Sequence, residues 1–222
     1  MGDLFRRAAV RVAVAAGASV LAAGMTAGAG TAGAEAAAAR ALAAGRGGGS
    51  VSGTWGTAQE VPGTASLNAG GFAAVTSVSC ASAGNCSAAG YYVDGAGDQQ
   101  VFVVTEANGI WDSAVKVPGL TSFNGSGVPV ATSVSCGSAG NCTAGGSYQD
   151  RSGHAHAFVV TQVNGTWGTA RGIPGLATLN TGDNAAVTSV SCATAGNCSA
   201  GGTYADGAGH GQAFVVTQTN GT

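Results

Sequence analysis

Apolar and polar positions between residues 51 and 222 recur in short runs rather than at helical spacing. "FAAVTSVSC" (72–80), "CSAAGYYVD" (86–94) and "QQVFVVTEA" (99–107) are β-rich runs separated by turn residues. A fourth run surrounds Trp55 in "GTWGTAQEVPG" and stops at Val61-Pro62-Gly63. No window here sustains a 3.6-residue apolar stripe, and β-branched and aromatic residues favour strands. Each run is therefore predicted to be a strand. "VFVVT" lacks polar alternation, which fits a strand covered on both faces. Asn108-Gly109 then leads straight to the next Trp, the strongest local hairpin signal.

The whole pattern is written three times. "SVSCASAGNCSAAGYY" starts at Ser77, "SVSCGSAGNCTAGGSY" at Ser133 and "SVSCATAGNCSAGGTY" at Ser189, a period of 56 residues. Trp55, Trp111 and Trp167 keep that spacing, as does Asn-Gly at Asn108, Asn164 and Asn220. Within a β-repeat domain spanning 51–222, the units run 53–108, 109–164 and 165–220, and Gly221-Thr222 repeats the residues that precede a Trp. Four short strands per unit with Gly-rich turns predict an all-β, β-propeller-like fold, and three units make it a partial one. A β-trefoil shares the threefold count, and an open β-solenoid is the third arrangement. In a closed ring, the Trp55 segment would complete the sheet begun by the last unit's three strands.

The N-terminus has a different character. Arg6, Arg7 and Arg11 precede an uncharged apolar run from Val12 to Met25, and Ala32-Gly33-Ala34 supplies a small-residue cleavage pattern. Residues 1–34 read as a secretory signal peptide, with no stable membrane span after cleavage. Residues 35–50 read as an Ala/Gly-rich spacer, because Gly loses the most backbone freedom on ordering. The mature chain is expected to be secreted or associated with the cell surface or cell wall.

Export gives the cysteines their meaning. All six fall into C-x5-C pairs, Cys80/Cys86, Cys136/Cys142 and Cys192/Cys198, around "ASAGN", "GSAGN" and "ATAGN". Gly and Asn tolerate positive φ, so each loop is a tight turn whose ends can meet. In an oxidising compartment each pair is expected to form a local disulfide. Two cysteines per unit, with no His at typical spacing, leave a zinc site short of ligands, so no metal and no cofactor are expected.

The unit "W…A…VPGL…L…G…V.SVSC.SAGNC.AGG.Y.D…G…AFV.…NG.W" resembles the Cys-containing repeats of secreted actinobacterial proteins, over residues 53–222. In architecture it is similar to sialidase-like or kelch-like propeller blades. The resemblance implies a propeller, in relatives that often carry more units, and implies no activity. "TQVNGTW" (161–167) has the hydroxyl, turn and aromatic of a sialidase Asp-box. Val163, Ala107 and Thr219 stand where the motif's Asp is expected, so hydrolysis does not carry over.

Candidate chemistry is sparse. The repeats hold three Lys/Arg against eight Asp/Glu, which removes a basic patch and with it nucleic acid as a partner. Asp94, Asp150 and Asp206 recur in "DGAGDQ", "DRSGHA" and "DGAGHG", where Asp and Gly suit a turn capped by the carboxylate. Asp150, Ser152 and His154 lie close in sequence, but that does not set a nucleophile–base geometry. No catalytic residue is assigned, and an enzyme is not expected. Trp55, Trp111, Trp167, Tyr92, Tyr148 and Tyr204 are the candidate binding residues, since rings repeated in every unit can line a recognition surface or pack between sheets. The expected function is that of an exported β-repeat binding or surface-interaction protein, recognising cell-wall glycan or another protein, with self-association where the ring is incomplete. A fragment of a secreted hydrolase and a structural extracellular spacer are the alternatives.

The signal is expected to be removed after Ala34. N-terminal sequencing of exported protein should then begin at Glu35, and recovery of Met1 in mature material would contradict it.

Overall fold

The computed structural model describes residues 53–120 and 128–221. The expected signal and spacer lie outside the described residues. The described chain from Thr57 onward forms three antiparallel sheets. The first contains β1 (Ala73–Ser82), β2 (Asn85–Val93) and β3 (Gln99–Ala107), and both β4 (Ile110–Trp111) and β5 (Val115–Lys116) pair with β3. The second repeats this with β6 (Val130–Ser138), β7 (Asn141–Gln149), β8 (Ala155–Val163), β9 (Thr166–Trp167) and β10 (Arg171–Gly172). The third has β11 (Ala185–Thr194), β12 (Asn197–Ala205) and β13 (Gly211–Gln218). The fold is all-β and consistent with a partial, propeller-like array. Among the described residues no barrel closes, which separates it from a β-trefoil.

The sheets are out of phase with the repeats counted from Trp. Trp111 opens the second sequence unit but closes the first sheet, because Asn108-Gly109 turns the chain straight back onto β3. Both turn residues have positive φ, 52° and 83°, as a type I′ turn requires. The Trp55 segment behaves differently from its two counterparts. Residues 53–60 form no strand, Trp55 is 99% exposed, and the third sheet keeps three strands.

Among the described residues, two single-turn helices go beyond the strands that the sequence predicts. α1 (Thr64–Leu67) and α2 (Leu176–Leu179) follow Val-Pro-Gly and Ile-Pro-Gly, and Gly63 and Gly175 enter them at φ 81° and 75°. Four residues are too few for an apolar stripe to register in the sequence.

The edge strands β1, β6 and β11 carry the joints between sheets. In each, the ladder breaks at a threonine, Thr76, Thr132 or Thr188, leaving it as a β-bulge. Thr76 Oγ1 lies 3.0 Å from its own sheet's Ala89 carbonyl and 2.6 Å from the next sheet's Ala131 carbonyl. Thr132 does the same to Gly145 and Val187. Ser77 and Ser79 hydroxyls accept from the backbone N–H groups of Val134 and Cys136, at 3.0 and 3.1 Å. Ser133 and Ser135 accept from Val190 and Cys192 at 3.0 and 2.9 Å. "TSVSC" is thus a joint between neighbouring sheets as well as a strand.

Apolar burial follows these joints. One cluster combines Ala89 and Val103 of the first sheet with Ala131, Val134 and Ala144 of the second. Another combines Ala157 of the second with Val187, Val190 and Phe214 of the third. Gly145 makes the second joint possible, because a Cβ there would lie 2.7 Å from Val187 Cγ1. Double-faced burial of "FVVT" fades along the described sheets: Val103 is 0% exposed, its counterpart Val159 is half-buried, and Val215 on the third sheet is 88% exposed.

All three local disulfides form, Cys80–Cys86, Cys136–Cys142 and Cys192–Cys198, each joining directly opposed residues with Cα atoms 3.9 Å apart. No described cysteine is free. The expected clamp across each turn is therefore present, and burial adds to it: Cys86, Cys142 and Cys198 are core residues, because they stand on β2, β7 and β12, the strands flanked on both sides within their sheets. Their partners are more open: Cys80 is exposed, and Cys136 and Cys192 are half-buried. Each Cys loop also clasps the neighbouring Asn-Gly turn. Gly109 N donates to Gly84 O at 2.9 Å, and Gly165 and Gly221 repeat the bond to Gly140 and Gly196 at 2.8 Å. Asn85 Oδ1 accepts from Asn108 N at 3.4 Å, and Asn141 and Asn197 repeat this.

Replacing Cys136 and Cys142 together by Ser removes a loop constraint of about 2.4 kcal/mol by the chain-entropy model. Thermal unfolding should shift down by roughly 5–10 °C with the far-ultraviolet β signal retained. Peptide mapping without reductant should recover three local cross-links in the parent chain, and cross-links between units would contradict the local clamp.

Candidate functional site

The recurrent aspartates close the turns between the second and third strands of each sheet. Asp150 Oδ1 accepts from the backbone N–H groups of Ser152 and His154 at 2.8 and 3.0 Å. Asp94 and Asp206 do the same to Ala96/Asp98 and Ala208/His210. The other oxygen differs by unit. Gln100 and Gln212 donate to Asp94 and Asp206 at 2.9 and 3.1 Å, whereas His156 Nε2 lies 3.0 Å from Asp150 Oδ2. Ser152 enters through its backbone, and the turn is built as a brace.

His156 nevertheless makes the second turn chemically distinct. One ligand atom each from Asp150, His154 and His156 fall within 4.8 Å of one another. His154 Nε2 also lies 3.6 Å from Asp183 Oδ2, and Tyr148 stacks on His156 at 5.3 Å between centroids. An N/N/O set of this kind suits a divalent cation in principle, but His156 makes the same bond that glutamine makes in the other units. Asp183 was missed by sequence reasoning, since it reaches the turn from the loop before β11 and no spacing announces it. The Asp150 carboxyl is held down at about 2, first by the His156 hydrogen bond and then by the backbone donors. Burial raises the Tyr92 and Tyr148 hydroxyl pKa values, and the nearby Asp94 and Asp150 charges add to it.

The six candidate aromatic residues are not gathered into one strip. Tyr92 and Tyr148 are buried, and Trp111, Trp167 and Tyr204 are half-buried. Trp111 packs on the first sheet's cluster and Trp167 on the cluster between the first two sheets. Trp55 alone among them is open over its whole ring.

A cleft of about 650 Å³ lies between the second and third sheets. Thr143, Val159, Thr161 and Ile173 line one side, and Val190, Val216 and Gln218 the other. Its counterpart one period earlier is occupied by Trp167. There the indole Nε1 donates to Thr105 Oγ1 at 3.2 Å, and Gln162 Nε2 donates to the same oxygen at 2.7 Å. Ser87 Oγ lies 3.4 Å from Gln162 Oε1. One period on, Thr143, Thr161 and Gln218 take the places of Ser87, Thr105 and Gln162, with no Trp-bearing strand on β13 among the described residues. The Gln218 Oε1 atom is buried there without a hydrogen-bond partner. Sequence reasoning missed this cleft, although the Gln-x-Asn-Gly-Thr spacing at 162–166 and 218–222 carries the signal.

No protein-family model matches the chain, and no curated protein matches it.

The Asp150 brace has a definite pH signature. A lowered folded-state pKa contributes stability that is complete above the ordinary carboxylate range and is lost as pH falls towards 2. A carboxyl NMR titration should place Asp150 near 2, and His156→Ala should raise it. His156→Gln should keep it depressed, because Gln100 and Gln212 make the same bond elsewhere.

Proposed function

We propose that the chain is an exported interaction protein whose recognition site is the cleft between the second and third sheets, and that its partner there is an extended polypeptide segment with a Trp anchor. The observation that carries this reading is the pairing of the cleft with a sheet edge that no described strand covers. β3 and β8 each hold a Trp-bearing segment on the side away from β2 and β7, whereas among the described residues β13 pairs with β12 alone. An edge strand offers a row of N–H and C=O groups, and an added strand takes its affinity from them and its specificity from side-chain pockets. The polar atoms at the cleft are the counterparts of those that bind Trp167, so an indole fits better than a sugar ring. The three disulfides support an oxidising, extracellular setting. No described helix is long and apolar enough to cross a membrane.

The decapeptide of residues 108–117, which pairs with β3 inside the protein, is the natural probe. It should be titrated into the chain carrying Trp55→Ala, with amide shifts followed by NMR. Changes should be confined to β13 and the cleft walls at Val159, Ile173 and Val190, and replacing the peptide's Trp by Ala should weaken binding at least about tenfold. Cell-wall oligosaccharides supply the competing arm. Shifts at the cleft with sugar but not with peptide would replace the polypeptide partner by a glycan.

A further inference from the structure

The turn between β7 and β8 departs from its two counterparts by gathering imidazoles. Two of the chain's three histidines, His154 and His156, fall there. Asp98 and Gln100 stand in their places one period earlier, and His210 and Gln212 one period later. The two histidines flank the first residue of β8, and side chains two apart in a strand share a face. Asp150 Oδ1 is taken up by two backbone N–H groups, while Oδ2 lies 3.5 Å from His154 Nδ1 and 3.0 Å from His156 Nε2. Two ligands at 2.0–2.1 Å from a tetrahedral ion stand about 3.3 Å apart, a value that these separations bracket. Among the described residues no other three His, Cys, Asp or Glu side chains come together in this way.

The other nitrogen of His154 faces the kind of partner that a metal-bound imidazole uses. Nε2 lies 3.6 Å from Asp183 Oδ2, and a carboxylate behind a ligating histidine fixes its tautomer and raises its basicity. Asp183 replaces a glycine of the repeat: Gly127 and Gly71 stand in its place one and two periods earlier. It holds a φ of 58°, a conformation glycine adopts more readily. Its loop is tied to the residue between the two histidines, since Ala155 N donates to Asp183 O at 2.9 Å and Asn180 Nδ2 donates to Ala155 O at 3.3 Å. Tyr148 stands opposite His156 on β7 and stacks on its ring. Each imidazole is thus positioned by an element outside the turn.

We propose that this turn binds a divalent transition-metal ion of the zinc class through Asp150 Oδ2, His154 Nδ1 and His156 Nε2, with Asp183 as a positioning residue behind His154. The site goes beyond the cleft reading, and none of these four residues lines the cleft. No described cysteine takes part, all being held in disulfides. Gln100 and Gln212 donate an amide N–H to their aspartates, whereas an imidazole offers a lone pair, so the ion takes the place of the proton between His156 and Asp150. Two imidazoles with one carboxylate favour zinc, copper or nickel over calcium and magnesium, which take roughly six or more oxygens. The charges of Asp150 and Asp183 balance one divalent ion. All three ligands are partly exposed, which leaves the fourth tetrahedral position to water or to a donor from a partner.

The untagged full chain, stripped with a chelator and dialysed, should bind Zn²⁺ one to one in isothermal titration calorimetry, with Kd below about 100 µM. Zn²⁺ should also raise its thermal midpoint, because the ion binds the folded turn. Imidazole ¹⁵N shifts should move at His154 Nδ1 and His156 Nε2. His156→Gln installs the residue of the other two turns and keeps the brace, and it should weaken binding at least about tenfold. His210→Ala should leave binding unchanged. Asp183→Gly restores the glycine of the other loops, so it should keep the metal-free midpoint while weakening zinc about tenfold. Asp183→Asn, whose amide oxygen still accepts from His154 Nε2–H, should recover part of that loss. Absence of saturable binding up to about 100 µM Zn²⁺ overturns the proposal. So does affinity that survives His156→Gln, affinity lost with His210→Ala, or Ca²⁺ bound as tightly as Zn²⁺. Unchanged affinity in Asp183→Gly removes its positioning role.

Discussion

The hydroxyl-to-backbone joint between the first strands of neighbouring sheets is the constraint on which the other features depend. A bulged threonine and two serines in each "TSVSC" satisfy backbone groups of the next sheet's edge strand. Buried or half-buried backbone groups left without partners would cost about 1–3 kcal/mol each, so neighbouring sheets cannot separate cheaply. The same bonds set the lateral position of one sheet on the next. Only in that position does Val187 fall into the space left open by Gly145. Packing and hydrogen bonding therefore specify one arrangement together.

The disulfides and turn clasps serve that joint from behind. Each disulfide ties the first strand of its sheet to its neighbour immediately after the second serine has made its contact, which holds the bulge in place. Because Cys86, Cys142 and Cys198 are buried, each clamp is anchored in the core at one end and reaches towards the joint at the other. The Asn of each "SAGN" or "TAGN" loop and the adjacent Asn-Gly turn grip one another, so the return of the chain to the outer strand is tied to the cysteine loop. Slippage by one residue would turn every apolar side chain to the wrong face. Three separate devices oppose it in a chain with very few charges.

Repetition with small departures makes equivalent positions chemically distinct. The first and second joints bury their valines and bond their hydroxyls, and the ends of the array expose the same groups. The cleft arises because Trp167 has a full berth and its counterpart site has none. The second unit differs again through His156, which replaces an amide donor by an imidazole and brings His154 and Asp183 to the same carboxylate. Equivalent backbone geometry thus supports three chemically different versions of one turn.

Much of this was legible in the residues. The period of 56, the β runs, the three local disulfides and the carboxylate-capped turns all follow from local chemistry, since each involves residues close in the chain. Double-faced burial of "FVVT" was legible as a tendency, but the exposure of Val215 depends on which described strands pack against each sheet. The pairing of Cys80 with Cys86 was legible from spacing, whereas the burial of Cys86 depends on strands packed to both sides of it. Trp55, Trp111 and Trp167 look alike in sequence, yet Trp55 is exposed while Trp111 and Trp167 are half-buried. The phase of the sheets, the single-turn helices, the serine and threonine joints and the Trp-shaped cleft were decided only in three dimensions. They rest on contacts between residues about one repeat apart, and a hydroxyl in a strand does not announce whether it faces water or the backbone of the next sheet.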